Sequence, residues 1–121
     1  MISLTREVAM MSKVKHDYIL EMIAFKRDGL VKKNMYKDEK PKNVAYMVIP
    51  FVKGGELADY YALGGLPEDI CRYFFRQILI ALHHLHEQGI AHLDVKAYNI
   101  LVDDDTFTIK LADFGLALDN G

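Results

Sequence analysis

The chain has 121 residues, 51% of them apolar and 26% charged, with a formal net charge of -2. That length fits one small domain or a portion of a larger one, the mix excludes a disordered tract, and the near-neutral charge gives no basis for nucleic acid or an anionic membrane as a partner. The single cysteine, Cys71, rules out an internal disulfide and points to a reducing, intracellular setting, with the cytoplasm as the expected compartment.

From Leu4 to Lys15, Val8, Met11 and Val14 fall at helical spacing with Arg6, Lys13 and Lys15 on other faces, which predicts an amphipathic helix. The opening residues, with Arg6 and Glu7 among them, lack the apolar core of a secretion signal. Ile19 to Phe25 reads as a short apolar strand. Lys26 to Asn43 is polar and lysine-rich and reads as a solvated hairpin connection, with Gly29-Leu30-Val31 resuming the strand before the turn. Val44 to Ile49 is a second strand, ended by Pro50, which has no N–H for a ladder. The apolar run Tyr46 to Val52 is too short to cross a bilayer.

Gly54-Gly55 marks a break, and Glu56 to Leu63 forms a short helix. Pro67 suits the first turn of a longer one, whose dipole Glu68 and Asp69 complement. Ile70, Phe74, Gln77, Ala81, Leu82 and Leu85 share one face of that helix. Tyr73, Phe75, Ile78 and Leu79 widen the apolar surface, so the helix is expected to be largely buried. Cys71, within it, reads as a small packed residue rather than a reactive thiol. Gly89 is placed to cap its C-terminus. Ile90 to His92, Ile100 to Val102 and Thr108 to Leu111 follow as short strands between polar turns. There is no internal repeat, and the order of elements indicates an α+β arrangement.

The chemistry-bearing segment is His92-Leu93-Asp94-Val95-Lys96-Ala97-Tyr98-Asn99, followed by Ile100-Leu101-Val102 and then Asp113-Phe114-Gly115. Taken singly, Asp94 and Asn99 read as loop-capping turn formers, and Asp113-Phe114-Gly115 as an ordinary tight turn. Together, in this order and spacing, they resemble the catalytic loop and metal-binding motif of protein kinases. The resemblance implies that Asp94 orients the acceptor hydroxyl and Lys96 stabilises the transferring phosphate. It makes Asn99 and Asp113 the oxygen ligands of Mg2+, a hard cation suited to them. Phe114 is then expected to pack inward and set the direction of Asp113.

Upstream, the run from Glu7-Val8 to Ile19-Leu20 resembles the kinase regulatory helix and its following turn, with Glu7 at the glutamate that pairs with a nucleotide-binding lysine. Met47 to Leu57 resembles the hinge between the two lobes. By that likeness Ile49 gates the rear pocket, the backbones of Pro50 and Val52 meet the adenine edge, Glu56 reaches the ribose, and Leu101 floors the adenine ring. The family uses the carbonyl at Pro50, so its missing N–H loses little. Met11, Met22, His92 and Phe114 match the stacked spine that joins the lobes. The implied fold is a partial protein-kinase-like bilobal one over 1–121. Residues 1–49 belong to the small lobe, 50–57 form the hinge, and 58–121 begin the large lobe.

The implied activity is that of a serine/threonine protein kinase, of the calmodulin-dependent and energy-sensing type. It uses ATP with Mg2+ and a protein substrate bearing a Ser or Thr acceptor. Leu93 stands where most members have an arginine that pairs with an activation-loop phosphate, a charge-assisted bond leucine cannot make. Ala97 and Tyr98 replace the usual proline and glutamate. A glycine-rich loop, a strand lysine for Glu7 and an activation segment are not among these residues, so the isolated chain is expected to be idle. A non-catalytic pseudokinase-like interaction module and a truncated gene product remain the alternatives.

Overall fold

The computed structural model describes residues 2–31 and 40–120. Helix α1 spans Ile2–Lys13, and strands β1, Ala24–Val31, and β2, Lys42–Val48, form an antiparallel pair. Helices α2, Leu57–Ala62, and α3, Glu68–Glu87, come next. They precede β3, Ile90–Ala91, a 3-10 turn at Ala97–Asn99, and strands β4, Ile100–Asp103, β5, Thr108–Leu111, and β6, Leu118–Asp119. β4 pairs with β5 and β3 with β6, both antiparallel. The middle of the expected lysine-rich connection, residues 32–39, lies outside the described residues.

α1 turns Met10 and Met11 into the core, and Val14 follows them just past its end. The strand expected at Ile19–Phe25 is shorter at its start and longer at its end. Ile19 and Leu20 are buried, but their backbone serves β5: Leu20 N–H donates to Leu111 O at 2.9 Å, and Leu111 N–H donates to Tyr18 O at 2.8 Å. Pairing with β2 starts only at Ala24 and runs to Val31, as Gly29-Leu30-Val31 suggested, with an irregularity between Lys26 and Gly29. A backbone committed to one partner strand cannot serve another, and this moved the boundary.

α3 begins after Pro67 and ends at Gly89, whose φ of 76° is the left-handed conformation glycine adopts without cost. Its inner face, Phe74, Gln77, Ile78, Ala81 and Leu85, packs on β5 and β3. Burying a side chain of the size of Phe74 or Leu85 contributes about 1.5–3 kcal/mol. Gln77 ties helix to sheet by accepting Ile109 N–H at 2.8 Å. The expectation of a largely buried helix fails on its outer side. Tyr73, Phe75, Leu79 and Ile80 are exposed, although the Tyr73 ring stacks on that of Phe107 at 5.5 Å.

The main core joins α1, α3 and the short strands. Met11, Ile19, Phe74, Leu85, Ile90, Val102, Ile109, Leu111 and Phe114 belong to one cluster, with Met22 packed on its margin. The loops that carry the polar motif residues emerge from this cluster.

Candidate active site

The loop after β3 is fixed by a buried histidine. His92 is 1% exposed, and Asp94 N–H donates to its Nδ1 at 3.1 Å. Nδ1 is therefore an acceptor, so Nε2 carries the proton and donates to Ala112 O at 2.8 Å. One neutral ring thus clamps the residue before Asp113 to the loop of Asp94. The same ring meets Phe114 edge-on at 5.1 Å between centroids, a favoured aromatic geometry.

Asn99 closes the loop from the other side. Its Nδ2 donates to Asp94 O at 2.8 Å and to Asp94 Oδ2 at 2.9 Å, while its main-chain carbonyl accepts Ala112 N–H at 2.8 Å. Lys96 Nζ lies 3.7 Å from Asp94 Oδ1. The Asp94 side chain keeps 23% of its surface open, enough for a hydroxyl to approach. Asp113 is exposed, and its Oδ1 accepts Gly115 N–H at 3.1 Å.

Two residues of this region hold left-handed backbone despite their side chains: Leu93 at φ 66° and Asp113 at φ 60°. Such conformations cost on the order of 1–3 kcal/mol each and persist only where surroundings enforce them. Here the enforcing contacts are the His92 clamp and the inward packing of Phe114, which is 0% exposed as expected.

Glu7 reaches this site from α1. Its carboxylate lies near the Phe114 main chain, which favours the charged form. Burial raises its pKa above the usual carboxylate value; the Phe114 main chain opposes that rise, and the nearby Asp113 charge adds to it. The Glu7 carboxylate thus faces the backbone beside Asp113. Sequence reading, which looked for a lysine, missed that arrangement, since main-chain groups leave no mark in a motif.

In the linker expected from the sequence to meet a nucleotide, Glu56 bridges Leu101 in antiparallel fashion and Val102 N–H donates to Gly55 O at 2.8 Å. Gly54 lies so close that an added Cβ would sit 2.2 Å from Val102 O. The linker is thereby seated on β4, with Leu101 and Glu56 side by side. Ile49 is 41% exposed, while Pro50 and Val52 are half-buried and line a cavity of about 330 Å3 with Lys15, His16 and Lys110. Asp94, Lys96, Asn99 and Asp113 are therefore joined through one net, whereas Glu56 meets Leu101 on β4, Pro50 and Val52 share the cavity with Lys15 and Lys110, and Ile49 is exposed. Among the described residues, no helix is long and apolar enough to cross a membrane.

Comparison with known proteins agrees with this geometry. Residues 2–120 match the protein kinase domain family. Serine/threonine-protein kinase RAD53 of Saccharomyces cerevisiae is 39% identical over 115 residues, which is 93% of this chain and 12% of RAD53. NUAK family SNF1-like kinase 1 of Homo sapiens is 35% identical over 118 residues, 97% of this chain and 16% of that protein. The crystal structure of Rad53 1-466 in complex with AMP-PNP superposes with a TM-score of 0.75 at 38% identity, covering 95% of this chain and 28% of that one. The chain thus spans a small fraction of the length of the relatives it matches.

Proposed function

Because this chain belongs to the protein kinase domain family, we propose that it supplies the catalytic loop, metal-binding motif and hinge for γ-phosphoryl transfer from ATP to a protein Ser or Thr hydroxyl. The observation that carries this reading is the tie between the two motifs: Asn99 Nδ2 holds the Asp94 carboxylate at 2.9 Å while Asn99 O holds Ala112 N–H at 2.8 Å. Residues far apart in sequence are thereby fixed around one point, which suits a reaction governed by positioning and charge.

Asp94 presents Oδ1 toward the acceptor, since Asn99 engages its other oxygen. It orients the hydroxyl and takes its proton as the bond to phosphorus forms. Lys96, 3.7 Å away, offers its ammonium to the transferring phosphoryl oxygens. Asn99 spends its Nδ2 on Asp94, which leaves its Oδ1 as a donor atom for a metal. Together with the exposed Asp113 carboxylate it makes a hard-oxygen set that fits Mg2+. When bound there, the ion neutralises charge on the phosphates. In this reading 1–49 lie in the small lobe, 50–57 are the hinge and 58–121 start the large lobe. Ile49, Pro50, Val52, Glu56 and Leu101 receive the nucleotide, and Glu7 keeps Asp113 and Phe114 in place. The use of ATP and the lone cysteine favour a cytoplasmic site of action.

The test is phosphoryl transfer from radiolabelled ATP to serine and threonine peptides by the full-length protein that carries these residues. Magnesium-dependent labelling of the peptides is expected. Magnesium-dependent nucleotide binding with no transfer to any hydroxyl acceptor would refute the reading.

A further inference from the structure

A second cluster of titratable groups lies where the connector between α1 and β1 crosses α3. The His16 ring sits 4.8 Å from that of His84 at a 42° tilt, and 5.4 Å from that of Tyr18. Tyr18 N–H donates to His16 Nδ1 at 3.0 Å. On α3, Gln88 Nε2 lies 2.8 Å from His84 Nε2; an amide nitrogen only donates, so that ring nitrogen accepts. His16 Nδ1 and His84 Nε2 thus both serve as acceptors here.

The two are not equally tolerant of a proton. Gln88 can turn its amide and offer an oxygen to a protonated His84. The Tyr18 main-chain N–H cannot turn, so a protonated His16 Nδ1 faces another donor. It also stands beside a second imidazole. From its own connector Asp17 favours the charge, with Lys15 and Glu21 on the same segment; from β5, Lys110, whose Nζ donates to Asp17 O, opposes it. α3 contributes His84 and, one position before it, His83, which pairs with Glu87 at 2.9 Å. Burial first, then His84 and Lys110, hold the His16 pKa below its ordinary value of 6.5 against the pull of Asp17.

The connector matters because of what it joins. Tyr18 and Leu20 are bonded to Leu111, two residues before Asp113, and α1 with Glu7 lies on the connector's other side. We propose that the His16–His84 contact is an acid-sensitive joint: below about pH 6, protonation of His16 frees the connector from α3 and loosens its bonds to β5. The unfolded chain then binds more protons than the folded one beneath pH 6.5, so stability is lost as pH falls through that window. The joint stands independently of the phosphoryl-transfer reading.

Amide exchange by NMR on the 121-residue chain tests it, with protection corrected for intrinsic exchange at pH 7.5 and 5.5. Protection of the Leu20 and Leu111 amides is expected to fall in the wild-type chain, by no more than the roughly tenfold that one histidine of ordinary pKa 6.5 can contribute over this range. In His16→Asn, whose Oδ1 accepts the Tyr18 N–H without titrating, it is expected to stay level. An equal fall in His16→Asn would overturn the proposal. Should that variant not fold, His84→Gln decides: a rise in the His16 ring pKa supports the joint, and an unchanged His16 titration overturns it.

Discussion

The two sides of the cleft are built to different standards. Asp94, Asn99 and Asp113 hang on a closed net in which His92, Asn99 and Ala112 each bond more than one neighbour, and His92 and Asn99 are buried. The linker proposed to meet the nucleotide is held on β4 by the Glu56–Leu101 bridge and Val102 N–H to Gly55 O, and from α2 by Tyr60 Oη to Gly54 O, with Ile49 41% and Phe51 91% exposed. Groups that handle protons and phosphate charge need placement to a fraction of an ångström, and a buried polar net provides it. A linker that offers its backbone to a flat ring tolerates more play. The difference also explains why the first side is complete within residues 92–115, while the second draws on separated segments.

Breaking the net has the largest expected effect on stability. His92→Ala removes a fully buried ring and leaves Asp94 N–H and Ala112 O without their partner. It should cost about 3–4 kcal/mol in a urea titration. Breaking the linker's seat on β4 should cost less. Gly54→Ala drives a methyl against the Val102 carbonyl and should lose about 1–3 kcal/mol while leaving the Asp94 loop intact, as read by its amide shifts.

Glu7→Gln sharpens the comparison at the point where α1 touches the net. Glutamine keeps the shape of the side chain but removes the charge beside Asp113. With the Glu7 pKa raised, the folded state binds more protons than the unfolded one above the usual value of 4.5, so stability falls as pH rises through that window. The variant should flatten that fall in thermal melts and gain only about 0.5 kcal/mol at neutral pH, since the half-exposed position is screened.

Leu93 marks the smallest effect. Its side chain is 59% exposed and makes no charge-assisted bond, so phosphatase treatment should leave the activity of the full-length protein unchanged. Leu93→Arg should add a dependence on phosphorylation. Strict phosphorylation dependence with Leu93 in place would contradict this.

Much of the net was legible because its members are motif residues. Asp94, Asn99 and Asp113 could be named from the motifs that hold them, and Phe114 packs inward as the motif implied. The backbone groups that complete it, Ala112 O for His92 and the Phe114 main chain for Glu7, were not legible, because any residue type supplies a main-chain group. In the fold, periodicity found α3, with Pro67 and Gly89 at its ends, but could not tell that Tyr73, Phe75 and Leu79 face outward. An apolar residue declares that it favours burial and says nothing of whether a neighbour arrives. Ile19 was misassigned to a strand with β2 for a related reason: its partner on β5 lies far along the chain, beyond any local window.

In the proposed reaction Asp94 acts on the acceptor while Asn99 and Asp113 act on the nucleotide's metal. The most direct measurement pairs transfer rate with Mg·ATP affinity in Asp94→Asn of the full-length protein. A loss of transfer of about 10²–10⁴-fold with nucleotide affinity unchanged is the predicted result. Transfer that survives in Asp94→Asn, or that falls only in step with nucleotide affinity, would contradict it.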